Sequence, residues 1–208
     1  MSKNIGILGS GNVGRVLANG LRGKGYSVEI GNRTAHAVAG WSGRVDMLAE
    51  VAERADMIIL AVKGSAAEAV VSELEECLVG KTVIDATNPI ADSPPVDGVV
   101  SLFTGQGDSL MERIQEINPR IHLVKALNSV GSSNMIDPDY EGLRPSMFIC
   151  GNDLKAKEEV SHILSDIGWE VEDMGSARSA RAIEPLCILW LLRGYLSDQW
   201  KHAFKLLK

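Results

Sequence analysis

A chain of 208 residues, 45% apolar and 23% charged, is long enough to bury the core of one large domain, alone or with a small extension. Its 21 basic and 27 acidic side chains leave a formal charge of −6, so no broad basic surface offers itself to nucleic acid. No apolar run reaches the ~20 residues of a bilayer crossing, and three widely spaced cysteines suggest neither a disulfide framework nor a zinc cluster.

The N-terminus runs directly into a strand pattern, so no leader is expected, and neither is a membrane partner; the expected location is the cytoplasm. Ile5-Gly6-Ile7-Leu8 reads as a strand buried on both faces and ends at Gly9. Val13, Val16, Leu17 and Leu21 then fall at helical spacing, with Gly23 and Gly25 as the stop. The alternation continues with a strand at 27–30, a helix at 45–55, a strand at 57–62, a helix at 66–78 and a strand at 82–85. A helix at 109–117, strands at 121–126 and 146–150, a helix at 154–167 and a short strand at 170–173 follow. From residue 178 the pattern is helical to the end, with Leu196, Trp200, Ala203, Phe204 and Leu207 on one face.

Repeated β-α units of this kind predict an α/β fold, a mostly parallel sheet covered on both sides. Residues 1–177 form the predicted main domain and 178–208 a small helical extension. An amphipathic terminal helix is a natural homodimer contact. The least patterned stretches, 89–107 and 129–145, read either as functional loops or as plain solvated connections.

Gly9-Ser10-Gly11-Asn12-Val13-Gly14 fits G-x-G-x-x-G directly after the first strand and at the opening of the first helix. The first glycine permits the turn, the second lets a pyrophosphate approach the backbone, and the third lets helix and strand pack closely. Amides at the helix N-terminus then meet the phosphate charge. An NAD site places Asp or Glu at the end of the second strand. Here that end reads Asn32-Arg33-Thr34, a planar cation flanked by two hydrogen-bonding side chains, which points to the 2′-phosphate of NADP(H).

The motifs G-S-G-N-V-G, I-G-N-R-T, A-V-K, D-A-T-N-P, V-K-A-L-N, C-G-N-D and A-R-A-I-E-P-L extend from Gly9 to Leu186. Together they resemble NADPH-dependent coenzyme F420 reductases and the related cytoplasmic oxidoreductase domain of STEAP metalloreductases. The resemblance implies a doubly wound Rossmann domain with a small C-terminal portion, passing hydride between NADP(H) and a deazaflavin (F420) or flavin-like acceptor. It further implies that Ala61, Val62 and Lys63 border the adenosine and phosphates. Asn88 and Pro89, with Ala126, Leu127 and Asn128, would line the nicotinamide and the acceptor ring. Lys63 also reads as a solvated surface lysine, and both asparagines as turn residues.

No catalytic side chain is assigned. His36, His122, His162 and His202 do not cluster, and the last two are expected on helices. Lys125 reads more naturally as a structural ion pair than as an acid, and Glu184-Pro185 as a helix start. Trp190 and Trp200 read as core or subunit contact rather than as a stacking platform. Two other functions fit the residues: reduction of a small imine, carbonyl or quinone, and NADP(H) sensing without turnover.

Overall fold

The computed structural model describes residues 3–208. In chain order the elements are β1 (Asn4–Leu8), α1 (Asn12–Gly23), β2 (Ser27–Asn32), β3 (Val45–Met47), α2 (Leu48–Arg54), β4 (Met57–Leu60), α3 (Gly64–Glu73) and α4 (Glu75–Leu78). They continue with β5 (Thr82–Asp85), α5 (Leu110–Ile117), β6 (His122–Lys125), β7 (Ser146–Gly151), α6 (Leu154–Asp166), β8 (Glu170–Asp173), α7 (Ala180–Ile183) and α8 (Leu186–Ser197). The strands lie in the order β3-β2-β1-β4-β5-β6-β7-β8. All neighbours are parallel except β6 and β7. This is the doubly wound, mostly parallel sheet that the β-α repeats predict.

The continuous apolar run of β4 is a consequence of burial on both faces. Met57 and Ile59 enter one core cluster with Leu17, Leu21 and Val160, while Ile58 and Leu60 enter the other with Val51, Val71 and Ile114. Ser109, expected inside a helix, is instead the cap of α5, its Oγ accepting from the Glu112 amide at 3.2 Å.

Three expectations are corrected. Residues 45–47 are not helical: they add an edge strand to β2, and α2 begins only at Leu48. Asp46 is bracketed there by Arg44 and Arg54, each at 2.6 Å, and Glu50 accepts from the Met47 amide to open the helix. The helix expected at 66–78 starts earlier, at Gly64, and breaks at Leu74 into α3 and α4. The chain is also not helical to its end. Asp198 takes a left-handed φ of 51° and closes α8 with its amide on the Gly194 carbonyl at 2.8 Å.

Beyond that turn the tail folds back over α8. Trp190 stacks on His202, with centroids 4.9 Å apart, and donates from Nε1 to the His202 carbonyl at 3.0 Å. The tail then meets β7, where the Ser146 amide donates to the Phe204 carbonyl and the Leu206 amide to Ser146 Oγ. These contacts outweigh helical propensity, so the apolar face proposed for Leu196, Trp200, Ala203, Phe204 and Leu207 does not form, and His202 is not on a helix. Trp190 is buried as packing, with Gly131 against its ring. Loop 89–107 contains a hairpin bridged at Ile90–Leu102 and Val96–Val99, whose Gly98 packs on Tyr195 and Leu196 of α8. Among the described residues no helix is long and apolar enough to cross a membrane.

Candidate functional site

The chain builds β1, β2 and β3 outward in one direction, then returns to place β4 on the other side of β1. A crevice opens at the carboxyl ends of β1 and β4, the position where open α/β sheets take ligands. A cavity of about 730 Å³ lies there, walled by Gly9, Ser10, Gly11, the 32–34 turn, the 61–63 turn and the first turns of α3.

The glycine loop is shaped as its sequence requires. Gly9 has φ = 124°, and a side chain there would strike the Ala61 carbonyl; one at Gly14 would strike the Gly9 carbonyl. Gly11 differs from both, because a Cβ added to it would meet no protein atom. Its open side faces the cavity, and as the N-cap residue it brings no side chain to satisfy the first amides of α1. Backbone donors and helix dipole are therefore left to an anionic ligand. A dinucleotide pyrophosphate fits this cradle.

At the end of β2, Asn32 organises the turn rather than reaching outward. Its Oδ1 accepts from the Thr34 amide at 3.0 Å, and its Nδ2 donates to the His36 carbonyl at 3.0 Å. Arg33 is exposed on the cavity wall and forms no ion pair or hydrogen bond with any described residue. Neighbouring arginines differ: Arg15 donates to the Ala39 carbonyl, and Arg54 pairs with Glu29 and Asp46. Lys63 lines the cavity and pairs with Asp92 of the hairpin, both well exposed. Asp92 carried no sequence signal.

The other expected residues divide. Asn12 turns away from the cavity and donates to Ser132 Oγ at 2.6 Å, while Val13 packs on the core. Asn88 and Asn128 are brought together. Asn88 Nδ2 donates to the Asn128 carbonyl at 2.7 Å, and Asn128 Nδ2 donates to Asn88 Oδ1 at 3.2 Å and to the Ile183 carbonyl at 3.0 Å. Asn128 Oδ1 is buried without a partner. Pro89 opens the hairpin and accepts from the Phe103 amide. Ala126 and Leu127 have their side chains sealed in the core beside Met147. Leu127 has φ = 61°, so the segment turns sharply, with its amide donating to Met147 Sδ at 3.2 Å.

The wall of the main cavity carries no histidine, tyrosine or cysteine. It adds residues that the motif reading missed, Ala66, Ala69, Val70 and Glu73 on α3 and Leu48 on α2. The small side chains three residues apart on α3 were the available signal, since they keep a helix face low enough for a ligand to lie on it.

Residues 4–89, from the start of β1 through Pro89, match the family described as coenzyme F420-dependent NADP oxidoreductase. The solved structure of a protein from Arthrobacter sp. FB24, provisionally named an F420-dependent NADP reductase, superposes with a TM-score of 0.92 at 30% identity over 100% of both chains. The chain belongs to the F420-dependent NADP oxidoreductase family.

Two curated relatives agree with this placement. Metalloreductase STEAP3 of Rattus norvegicus is 31% identical over 185 residues, covering 88% of this chain and 36% of its own length. F420-dependent NADP reductase of Methanocaldococcus jannaschii is 27% identical over 138 residues, 66% of this chain and 61% of that one. The chain thus spans little more than a third of the metalloreductases it matches. The family to which it belongs is one of NADP oxidoreductases.

Proposed function

We propose that this oxidoreductase binds NADP(H) along the β1/β4 crevice and exchanges hydride directly with a flavin-like or deazaflavin acceptor, F420 being one candidate. The unpaired Arg33 guanidinium on the cavity wall carries the cofactor assignment. A cation without a protein partner, at the strand end where the ribose 2′-position falls, is suited to a 2′-phosphate. Gly11 and the first amides of α1 would take the pyrophosphate. Lys63 would exchange its exposed pairing with Asp92 for a phosphate contact. The Asn88–Asn128 pair would frame the nicotinamide.

The nicotinamide supplies the hydride chemistry, and the chain supplies orientation and exclusion of water. Direct transfer between stacked rings needs no protein acid. We place the protein in the cytoplasm as a homodimer. The dimer contact moves from the terminal segment to the outer face of α8, where Leu189, Tyr195 and Leu196 are exposed.

The decisive experiment mixes purified protein and NADPH with F420, FMN, FAD and quinones in turn, following the absorbance of the reduced nicotinamide. Turnover with F420 or a flavin supports the proposal; turnover only with a quinone, or with none of the panel, rejects it. Sedimentation velocity over a concentration series reports the dimer.

A further inference from the structure

Three charged side chains are sealed beneath the site. Asp85, Lys125 and Glu184 are 0%, 0% and 1% exposed. Lys125 Nζ lies 2.7 Å from Asp85 Oδ2, 2.9 Å from Glu184 Oε1 and 3.1 Å from the Thr87 carbonyl. Asp85 Oδ1 accepts from the Thr87 amide at 2.9 Å and its hydroxyl at 2.6 Å. Glu184 caps α5, accepting from the Leu110 amide at 2.9 Å and the Met111 amide at 3.0 Å. Every contact of both carboxylates comes from a donor. Burial opposes the charge on Lys125, but Asp85 and Glu184 overcome it and hold the ammonium pKa above its ordinary value. One positive and two negative charges leave the cluster at −1.

Such a cluster is a poor device for stability alone, because apolar side chains of similar volume often do as well. Its location gives it another use. Asp85 and Lys125 end β5 and β6, three residues before Asn88 and Asn128 respectively. Lys125 holds the carbonyl of Thr87, which precedes Asn88, and Glu184 follows Ile183, whose carbonyl receives Asn128 Nδ2. The cluster is therefore the footing of the asparagine pair.

We propose that Asp85, Lys125 and Glu184 are positioning residues that set the Asn88–Asn128 pair and place an unbalanced negative charge beside the nicotinamide, favouring bound NADP⁺ over bound NADPH. The inference rests on the cofactor reading above. The oxidised ring carries a positive charge and the reduced ring none, so a fixed anion discriminates between them. An unbalanced charge on the order of 10 Å from the ring, at an effective dielectric near 20, changes the affinity ratio about fifteenfold. The positive N-terminus of α5 offsets about half of that charge, so the native bias is about fourfold, while loss of one carboxylate charge still shifts the ratio by the full factor.

The test measures the dissociation constants of NADP⁺ and NADPH separately, by calorimetry on the full chain. Asp85→Asn and Glu184→Gln each remove one full negative charge, and each should raise the NADP⁺/NADPH ratio of dissociation constants about fifteenfold. Lys125→Arg keeps the charge and should leave the ratio within about twofold of the native value, inside that margin. Should both single variants fail to fold, the triple replacement Asp85→Asn, Lys125→Met, Glu184→Gln strands no buried charge and should show the same rise. Loss of affinity for both nucleotides in equal proportion would reduce the cluster to packing and overturn the proposal. Failure of the native chain to bind either nucleotide would instead refute the cofactor reading itself.

Discussion

The carbonyl oxygen of Gly9 occupies the space that a side chain on Gly14 would need, whereas a side chain on Gly11 would point into the cavity. The two glycines should therefore fail differently. Gly14→Ala forces the loop off the helix, and a loss of about 1–3 kcal/mol is expected, as for an overpacked core position. Gly11→Val should melt within a few degrees of the native chain yet lose both NADPH and NADP⁺. Thermal unfolding paired with nucleotide titration separates the outcomes; a Gly11→Val chain that binds NADPH normally would refute the pyrophosphate cradle.

Arg33→Ala should distinguish the two nicotinamide dinucleotides. Only NADPH carries the 2′-phosphate, and a charged hydrogen bond contributes about 1.5–3 kcal/mol, roughly ten- to a hundredfold in affinity. Affinity for NADH should hardly change, since Arg33 has no described protein partner whose loss would disturb the loop. Equal weakening of both nucleotides would reject the assignment.

Ala126 reads from sequence as a wall of the acceptor pocket, but it is fully buried. Ala126→Leu should therefore act through the core, costing about 1–3 kcal/mol in urea unfolding. A variant of native stability with a slowed hydride step would return the residue to the site.

His36 beside the 2′-phosphate loop and His122 on β6 should each be replaceable by Gln with kcat kept within about tenfold, below the 10²–10⁴ that a general acid or base supplies. Single-turnover oxidation of deuterated NADPH isolates the step. A thousandfold loss with binding intact would reinstate acid catalysis.

Cys150 and Cys187 have thiol pKa values pushed up to about 12, chiefly by burial. An unfolded thiol ionises near ~8.5, so the folded chain keeps protons that the unfolded chain releases. The associated stability is complete below that pH and declines as pH rises towards 12. Below pH ~8 a disulfide reagent should titrate only the half-buried Cys77 in the native chain and all three cysteines after denaturation.

The parallel core was readable because residues buried on both faces leave continuous apolar runs, as in Met57-Ile58-Ile59-Leu60, and because glycines mark the turns between them. The glycine loop and Arg33 were readable for a related reason: their chemistry is local to a few consecutive residues. The edge strand at 45–47 was not, since three residues before a helix carry no period of their own and their pairing with β2 is a long-range event. The tail misled because its apolar spacing is helical, while the Trp190–His202 and Ser146–Phe204 contacts that fix it join residues distant in sequence. The ion pair expected of Lys125 forms, but its partners were not legible: Asp85 and Glu184 lie 40 and 59 residues away in sequence, and only the fold makes them neighbours.

β3 also closes a hazard that any open sheet carries. It is the outermost strand on its side, and an outermost strand offers unpaired amides and carbonyls to any other chain. With only three residues, and with Asp46 clasped by Arg44 and Arg54, it presents a short, charged and strongly hydrated margin. A foreign strand docking there would have to strip water from those ions for a handful of backbone bonds. The short segment that the helical pattern concealed thus leaves this end of the sheet a poor template for a further strand.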